Sequence, residues 1–280
     1  MKYFSKDKQF CNFNLHYDTF YSLDYFCSCM ERLQVKNVEL IAGHQSLFLD
    51  HNGIQDAARA KKLLRDHGLK AAAVSAQSCR FRYQFAVREK EVQEQTFQFF
   101  ANGIRLAAEL GAGILQVNPG WGYWNEPLQD GRERAAEMFL RLCRVGQEYG
   151  VRMACEALRP QESLMGYRIQ DIRQIYDMVD HPNFKVMIDT CAMGVAGETI
   201  QQWLDTFGSE NIIHAHFQDG TPYFHMIWGE GRRNLGEDLR VLYENGYTGM
   251  LSQELTMPAY YQDPFSCDVR NLAALSEYLY

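Results

Sequence analysis

Apolar residues in this chain gather into short runs, each followed by a longer stretch in which apolar positions recur at helical spacing. A short apolar run bounded by turn residues reads as a buried strand, and a 3.6-residue period reads as an amphipathic helix. Eight runs qualify as strands: residues 11–16, 37–42, 69–75, 113–118, 151–156, 183–189, 211–218 and 248–254. Between them, residues 54–67 place Ile54, Ala57, Ala58, Leu63 and Leu64 at helical spacing, and residues 89–110 do the same with Val92, Phe99, Ile104 and Leu110. Gly68, Gly111, Gly150 and Gly246 stand where a helix would end in a left-handed cap before the next strand.

Eight strand-helix alternations over 280 residues predict an α/β fold of the (β/α)8 barrel type, a single domain spanning 1–280, with a doubly wound open sheet as the alternative. The barrel accounts for more. It gathers the carboxyl ends of all strands at one face, so residues far apart in sequence converge, whereas an open sheet would spread them along a ridge. No G-x-G-x-x-G follows the first strand and no G-x-x-x-x-G-K-S/T occurs, which weakens nucleotide-binding forms of the open sheet.

The last four runs end in groups that hold hard metal ions: Glu156 after Val151-Arg152-Met153-Ala154-Cys155, Asp189 after Phe184-Lys185-Val186-Met187-Ile188, His216 in Ile212-Ile213-His214-Ala215-His216, and Glu254 after Gly249-Met250-Leu251-Ser252-Gln253. A charged or imidazole group at the end of a buried strand is costly unless something pairs with it, and one cation would pair with all four. Three carboxylates and an imidazole favour manganese, magnesium or cobalt over a structural zinc. Such an ion, bound by the carbonyl and adjacent hydroxyl of a ketose, makes the proton between them acidic. His214 lies two residues before His216 on the same face of the strand, so His216 is taken as the ligand and His214 as a buried hydrogen-bond partner beneath it. On the second strand Glu39 and His44 point toward the same face, as polar contacts or as rim structure.

Charge and cysteines narrow the class. The 35 acidic and 28 basic residues give a net charge of −7, and the basic ones are scattered, which disfavours nucleic-acid binding. Met1 to Lys8 has no signal-peptide core and no apolar run is long enough for a bilayer, so a cytoplasmic protein without a membrane partner is expected. Eight cysteines at irregular spacing, without a C-x-x-C pair, read as reduced thiols, with Cys27 and Cys29 packing inside a helix.

The segments Ala154-Cys155-Glu156-Ala157-Leu158-Arg159-Pro160-Gln161-Glu162-Ser163, Val186-Met187-Ile188-Asp189-Thr190-Cys191-Ala192, His214-Ala215-His216 with Gly229-Glu230-Gly231, and Tyr247-Thr248-Gly249 running to Glu254 resemble the xylose-isomerase-like sugar phosphate isomerase/epimerase superfamily. Within it the chain is most similar to the branch of fructoselysine 3-epimerase and the ketose 3-epimerases. The likeness is specific from about Val151 onward and weaker before it. It implies a divalent metal, usually manganese, on Glu156, Asp189, His216 and Glu254, and a small carbohydrate substrate. It further implies that Glu156 and Glu254 flank the substrate carbon, one removing the C3 proton and the other returning a proton to the opposite face through a metal-bound cis-enediolate.

Other residues carry over from the resemblance with alternatives open. Glu162 is a contact to substrate hydroxyls or a solvated loop acid; His225, before Gly229-Glu230-Gly231, touches substrate or merely sits in its loop. Arg159 grips a carboxylate or phosphate or is an exposed loop residue. The segment Asn118-Pro119-Gly120-Trp121-Gly122-Tyr123-Trp124 should lie over the same face, with Asn118 and Trp121 as candidate substrate contacts; Trp121 and Trp124 form a wall against the sugar or a contact between subunits of a homo-oligomer. The chain departs from the ketose 3-epimerases at Ala192, where they commonly place a histidine, and at Gly220-Thr221-Pro222, where they place an arginine. These departures favour a ketosamine over free ketoses. Rival readings are an inosose dehydratase or hydroxypyruvate isomerase type of enzyme, a three-zinc DNA-repair endonuclease and a non-enzymatic binding protein.

Overall fold

The structure is a computed structural model that describes residues 1–79, 81–221 and 223–280. Its strands are β1 Phe10–Phe13, β2 Asn37–Ala42, β3 Lys70–Ala76, β4 Ile114–Val117, β5 Arg152–Glu156, β6 Phe184–Asp189, β7 Ile212–His216, β8 Asp219–Thr221, β9 Phe224–Met226 and β10 Met250–Gln253. Eight of them close in the order β1-β10-β7-β6-β5-β4-β3-β2, every neighbouring pair parallel, and β8 and β9 form a separate antiparallel hairpin. This is a (β/α)8 barrel.

All eight expected strands are present, with shifted ends. The first stops at Phe13 instead of continuing to residue 16, and Leu15–Asp18 turns helical. Asn14 causes the stop: its Oδ1 accepts from Ile41 N at 2.8 Å while its carbonyl accepts from Tyr17 N at 2.9 Å. The helix expected over 54–67 is Ala57–Asp66, and the one expected over 89–110 is Lys90–Leu110. The former starts late because Asp56 has a left-handed backbone, φ 64°. The four cap glycines have φ of 65° at Gly68, 79° at Gly111, 70° at Gly150 and 73° at Gly246, the conformation that L side chains avoid. The sequence reading did not anticipate the β8–β9 hairpin or the short helix Thr190–Ala196.

The interior is layered. Side chains two apart on a strand share a face, and a small separate cluster of Ala73, Ile114, Ala154, Met187 and Ile213 packs inside the barrel. Four of these stand two residues before Ser75, Gln116, Glu156 and Asp189, so an apolar layer supports a polar one nearer the carboxyl ends. The larger core lies between strands and outer helices; there Phe85 packs on Phe139 with centroids 4.2 Å apart, and Phe139 on Phe184 at 4.9 Å.

Cys27 and Cys29 are buried in the helix Leu23–Arg32, as expected, and the cysteines are free thiols. No described helix is long and apolar enough to cross a membrane.

Gly146, in the helix Leu128–Tyr149, permits close helix-strand approach. A Cβ there would stand 2.4 Å from Val151 O, a backbone atom that cannot swing away. Gly146→Ala would gain about 1 kcal/mol of helix propensity, but overpacking costs about 1–3 kcal/mol. We expect a lower urea midpoint; an unchanged or raised midpoint would show that the helix can retreat freely.

Candidate metal and active site

A cavity of about 190 Å³ opens at the carboxyl ends of the barrel strands, walled by Phe13, Gln116, Leu158 and Thr256 among others. Glu156, Asp189, His216 and Glu254 all line it, together with Asn118, Arg159, Glu162 and His225. Glu156, Asp189 and His216 are the last residues of β5, β6 and β7, and Glu254 follows β10 directly. The β6–β7 register pairs Asp189 with His216, and the β10–β7 register pairs Ser252 with His216, so the convergence follows from strand alignment.

His216 is the centre of the arrangement. Its Nδ1 lies 2.6 Å from Glu156 Oε1 and 3.1 Å from Glu254 Oε2, while its Nε2 lies 3.2 Å from Glu39 Oε1. Phe13 stacks on the ring at 5.4 Å and 19°. Glu39, fully buried, also takes His214 Nε2 at 2.8 Å and Ser252 Oγ at 2.5 Å, and it accepts from Ser75 Oγ. Glu39 therefore lies beneath the cavity and locks two imidazoles, and His214 is the buried partner expected of it. A carboxylate on the far nitrogen of a ligating histidine fixes its tautomer and leaves the near nitrogen free to bind a metal. His44 instead pairs with Asp18 Oδ2 at 2.6 Å and belongs to the rim structure.

Amide donors hold the other carboxylates. Gln116 Nε2 donates to Glu156 Oε2 at 2.6 Å, and Asp189 Oδ1 accepts from Cys191 N at 2.7 Å and Gln218 Nε2 at 2.8 Å. Burial pushes the Glu156 carboxyl up to about 7; His216 opposes this, while Asp189 and Glu254 add to it. At Asp189 and Glu254 burial also pushes upward, but the neighbouring imidazoles outweigh it and hold both below the usual carboxylate range. Burial would lower His216 and His225, yet the surrounding carboxylates raise both well above the ordinary histidine value.

The candidate ligands form two overlapping triads. Glu156, His216 and Glu254 offer ligand atoms all within 4.8 Å of one another, as do Asp189, His225 and Glu254. Asp189 thus joins the set through Glu254 and His225. Among the described residues no lysine or arginine comes within 4.0 Å of these three carboxylates, so an oxygen-rich donor set with Glu156 and Asp189 buried and Glu254 half-buried, without a compensating fixed cation, fits a divalent ion.

His225 stands inside the site, on β9, with Nε2 3.1 Å from Asp189 Oδ2 and Nδ1 2.9 Å from Thr256 Oγ1. Asp219 ties down this hairpin, its carboxylate accepting from the backbone N–H groups of Gly220 at 2.7 Å and of Gly229, Gly231 and Arg233 at 2.9 Å each. Arg159 and Glu162 line the cavity but engage each other: Arg159 Nε donates to Glu162 Oε2 at 2.8 Å, its NH2 donates to Glu162 Oε1, and its NH1 reaches the Tyr223 carbonyl at 2.5 Å. Arg159 and Glu162 are thus half-buried partners of each other on the cavity wall, so neither is an exposed loop residue.

Asn118 lines the cavity; its amide nitrogen donates to Ser78 Oγ after β3 and its oxygen accepts from Gly120 N at 3.0 Å. Trp121 lies outside the main cavity, in an adjoining recess with Trp124 and Glu162; Trp124 is 89% exposed. Ala192 is buried in the helix after Asp189, Gly220 and Thr221 belong to β8, and Pro222 lies outside the described residues. The sequence reading missed Gln116 and Gln218. Gln116 carries the same signal as the ligands, a polar side chain near the end of an apolar run, whereas Gln218 is identified by contact alone.

A family model described as xylose isomerase-like TIM barrel matches residues 31–267. Fructoselysine 3-epimerase of Shigella flexneri is 23% identical over 220 residues, covering 78% of this chain and 79% of that protein. Among solved structures, L-ribulose 3-epimerase superposes with a TM-score of 0.81 at 15% identity, covering 96% of this chain and 93% of that one. D-psicose 3-epimerase from Clostridium cellulolyticum H10, solved with D-tagatose, gives 0.77 at 16% identity, with 96% and 97% covered. The structural likenesses bear on the fold; the family model spans most of the chain and includes every residue of the cavity's two triads, and the chain belongs to the xylose isomerase-like TIM barrel family.

Proposed function

We propose that this protein is a divalent-metal-dependent carbohydrate epimerase that inverts the carbon beside a ketose carbonyl, with a ketose or a ketosamine of the fructoselysine kind as substrate. One observation carries the reading: Glu156, at the end of β5, and Glu254, just after β10, both reach the same nitrogen of His216 in the cavity at the carboxyl ends of the strands. The similarity to a protein named fructoselysine 3-epimerase supports the same choice.

In this reading Glu156, Asp189, His216 and Glu254 hold the ion, manganese foremost, with magnesium or cobalt next and zinc less suited. When bound, the ion polarises the substrate carbonyl and makes the neighbouring C–H acidic. The protein supplies the rest. Epimerisation needs a carboxylate on each face of one carbon, one taking the proton and the other returning one. Glu156 and Glu254 fill these places. Gln116 fixes the carboxylate plane of Glu156, and Glu39 fixes the ring of His216. Phe13, Leu15, Ile41 and Leu158 line the same cavity, limiting water around the exchanged proton. In the same reading the Arg159–Glu162 pair, which lines the cavity, contacts the substrate's far end.

Incubation with manganese and a panel of ketoses and ketosamines in deuterated water should place solvent deuterium at the carbon next to the carbonyl. Glu156→Gln and Glu254→Gln should each reduce exchange by about 10²–10⁴-fold. Full exchange in either variant would remove that residue from proton transfer, and no exchange with any compound, metal demonstrably bound, would sink the enolisation chemistry.

Glu39→Gln keeps the side chain's shape while removing its charge. Manganese affinity measured by titration calorimetry should fall about 10–100-fold; an unchanged affinity would mean that His216 is oriented without Glu39.

A further inference from the structure

The cavity is not the whole of the concave surface at this end of the barrel. A recess of about 220 Å³ adjoins it, lined by Trp121, Trp124, Pro160, Gln161 and Glu162 among others, and Glu162 lines both. We propose that this recess is a subsite for a second, uncharged sugar ring, so that the substrate is a ketose glycosylated at the end remote from its carbonyl. The inference rests on the carbohydrate reading of the cavity and narrows its substrate class.

The recess is fixed in shape, because the two loops that form it are tied together. Leu164 N donates to the Trp121 carbonyl at 2.8 Å, and Ser163 Oγ donates to the Gly120 carbonyl at 2.6 Å. A Cβ at Gly122, where φ is 74°, would stand 2.7 Å from Met165 Cγ, so the loop after β4 approaches the loop after β5 more closely than another residue allows. Arg88 anchors both neighbours of Trp124: its guanidinium lies 4.4 Å from the centroid of the Tyr123 ring, and its NH2 donates to Asn125 Oδ1 at 2.9 Å. Trp124 nevertheless remains almost fully exposed. An indole held out on an anchored loop beside a cavity is a preformed contact surface.

Charge and size select the occupant. Among the described residues Glu162 is the one charged side chain lining the recess, and Arg159 engages both of its carboxylate oxygens, Oε2 at 2.8 Å through Nε and Oε1 through NH2. An ammonium or a phosphate placed there meets no unpaired counter-charge. What remains is two indoles, a pyrrolidine ring and the exposed Gln161 amide. A pyranose is amphipathic in the same way: its C–H face suits the negative face of an indole, and its hydroxyls turn to amide and water. The cavity of about 190 Å³ falls short of the ~300 Å³ at which ligand pockets commonly begin, whereas cavity and recess together exceed it.

The test compares four compounds on the full chain with manganese: D-fructose, maltulose and isomaltulose, which carry a glucosyl ring on C4 or C6, and fructoselysine. The kcat/KM for deuterium exchange should be higher for a glucosyl ketose than for D-fructose or fructoselysine. Trp124→Ala should lower that preference about 3–10-fold. Saturation-transfer NMR, which needs binding but no turnover, should mark the protons on one face of the glucosyl ring, and the mark should fade in the same variant. Thermal melting checks that the variant folds, and the wild-type comparison does not depend on it. Exchange with D-fructose but no gain from either glucosyl ring overturns the proposal and leaves the epimerase reading standing. A preference for fructoselysine over both glucosyl ketoses overturns it in favour of a charged substituent. No exchange with any compound defeats the enolisation chemistry, and the saturation-transfer spectrum then decides the recess alone: unmarked glucosyl protons overturn it.

Discussion

Everything at the mouth of this barrel depends on a carboxylate that never reaches it. Glu39 is fully buried and ionised: burial pushes its carboxyl up, but His214 and His216 outweigh that and hold it well below its usual range. A lone charge in such a place would cost several kcal/mol, so the four groups that surround it are a condition of folding as much as of chemistry. The β2–β3 register slips between Val38 and Glu39, so that Ala72 has no partner, and a bulge of this kind re-aims the side chain beside it. Ser75 on β3, Ser252 on β10 and the two histidines of β7 then meet Glu39 from around the barrel wall.

Above that anchor the site is built in two directions. From within, the strands deliver Glu156 and Asp189 over the apolar Ala154 and Met187, and His216 over the buried His214–Glu39 pair. From outside, the hairpin brings His225, and the loop after β5 brings the Arg159–Glu162 pair, which also holds the Tyr223 carbonyl. The polar ceiling is thus a network in which nearly every charged atom has a named partner. Such networks rigidify when satisfied, which is what two-sided proton transfer at a single carbon requires.

Arg159 shows why residue type alone misleads. Read along the chain, an arginine three residues after Glu156 suggests an anion grip; in space it pairs with Glu162 across the same tight turn. Asn118 likewise occupies the cavity wall, where its amide nitrogen donates to Ser78 Oγ after β3 and its oxygen accepts from Gly120 N. In both cases neighbouring protein groups engage the polar side chain, and sequence spacing does not display those partners.

The sequence by itself determined the barrel, the four polar groups at the strand ends and the cap glycines, because each depends on local periodicity or backbone conformation that neighbouring residues dictate. His214 beneath His216 was legible for the same reason, the two-residue repeat of a strand. Only the tertiary structure decided that Glu39 lies under the site, that Gln116 and Gln218 steady its carboxylates, and that His225 shares Glu254 with His216. Those contacts join residues from 29 to 213 positions apart in sequence. They arise from barrel closure and from a hairpin folded back by Asp219, and no local pattern encodes the distance between groups that meet only when the sheet closes.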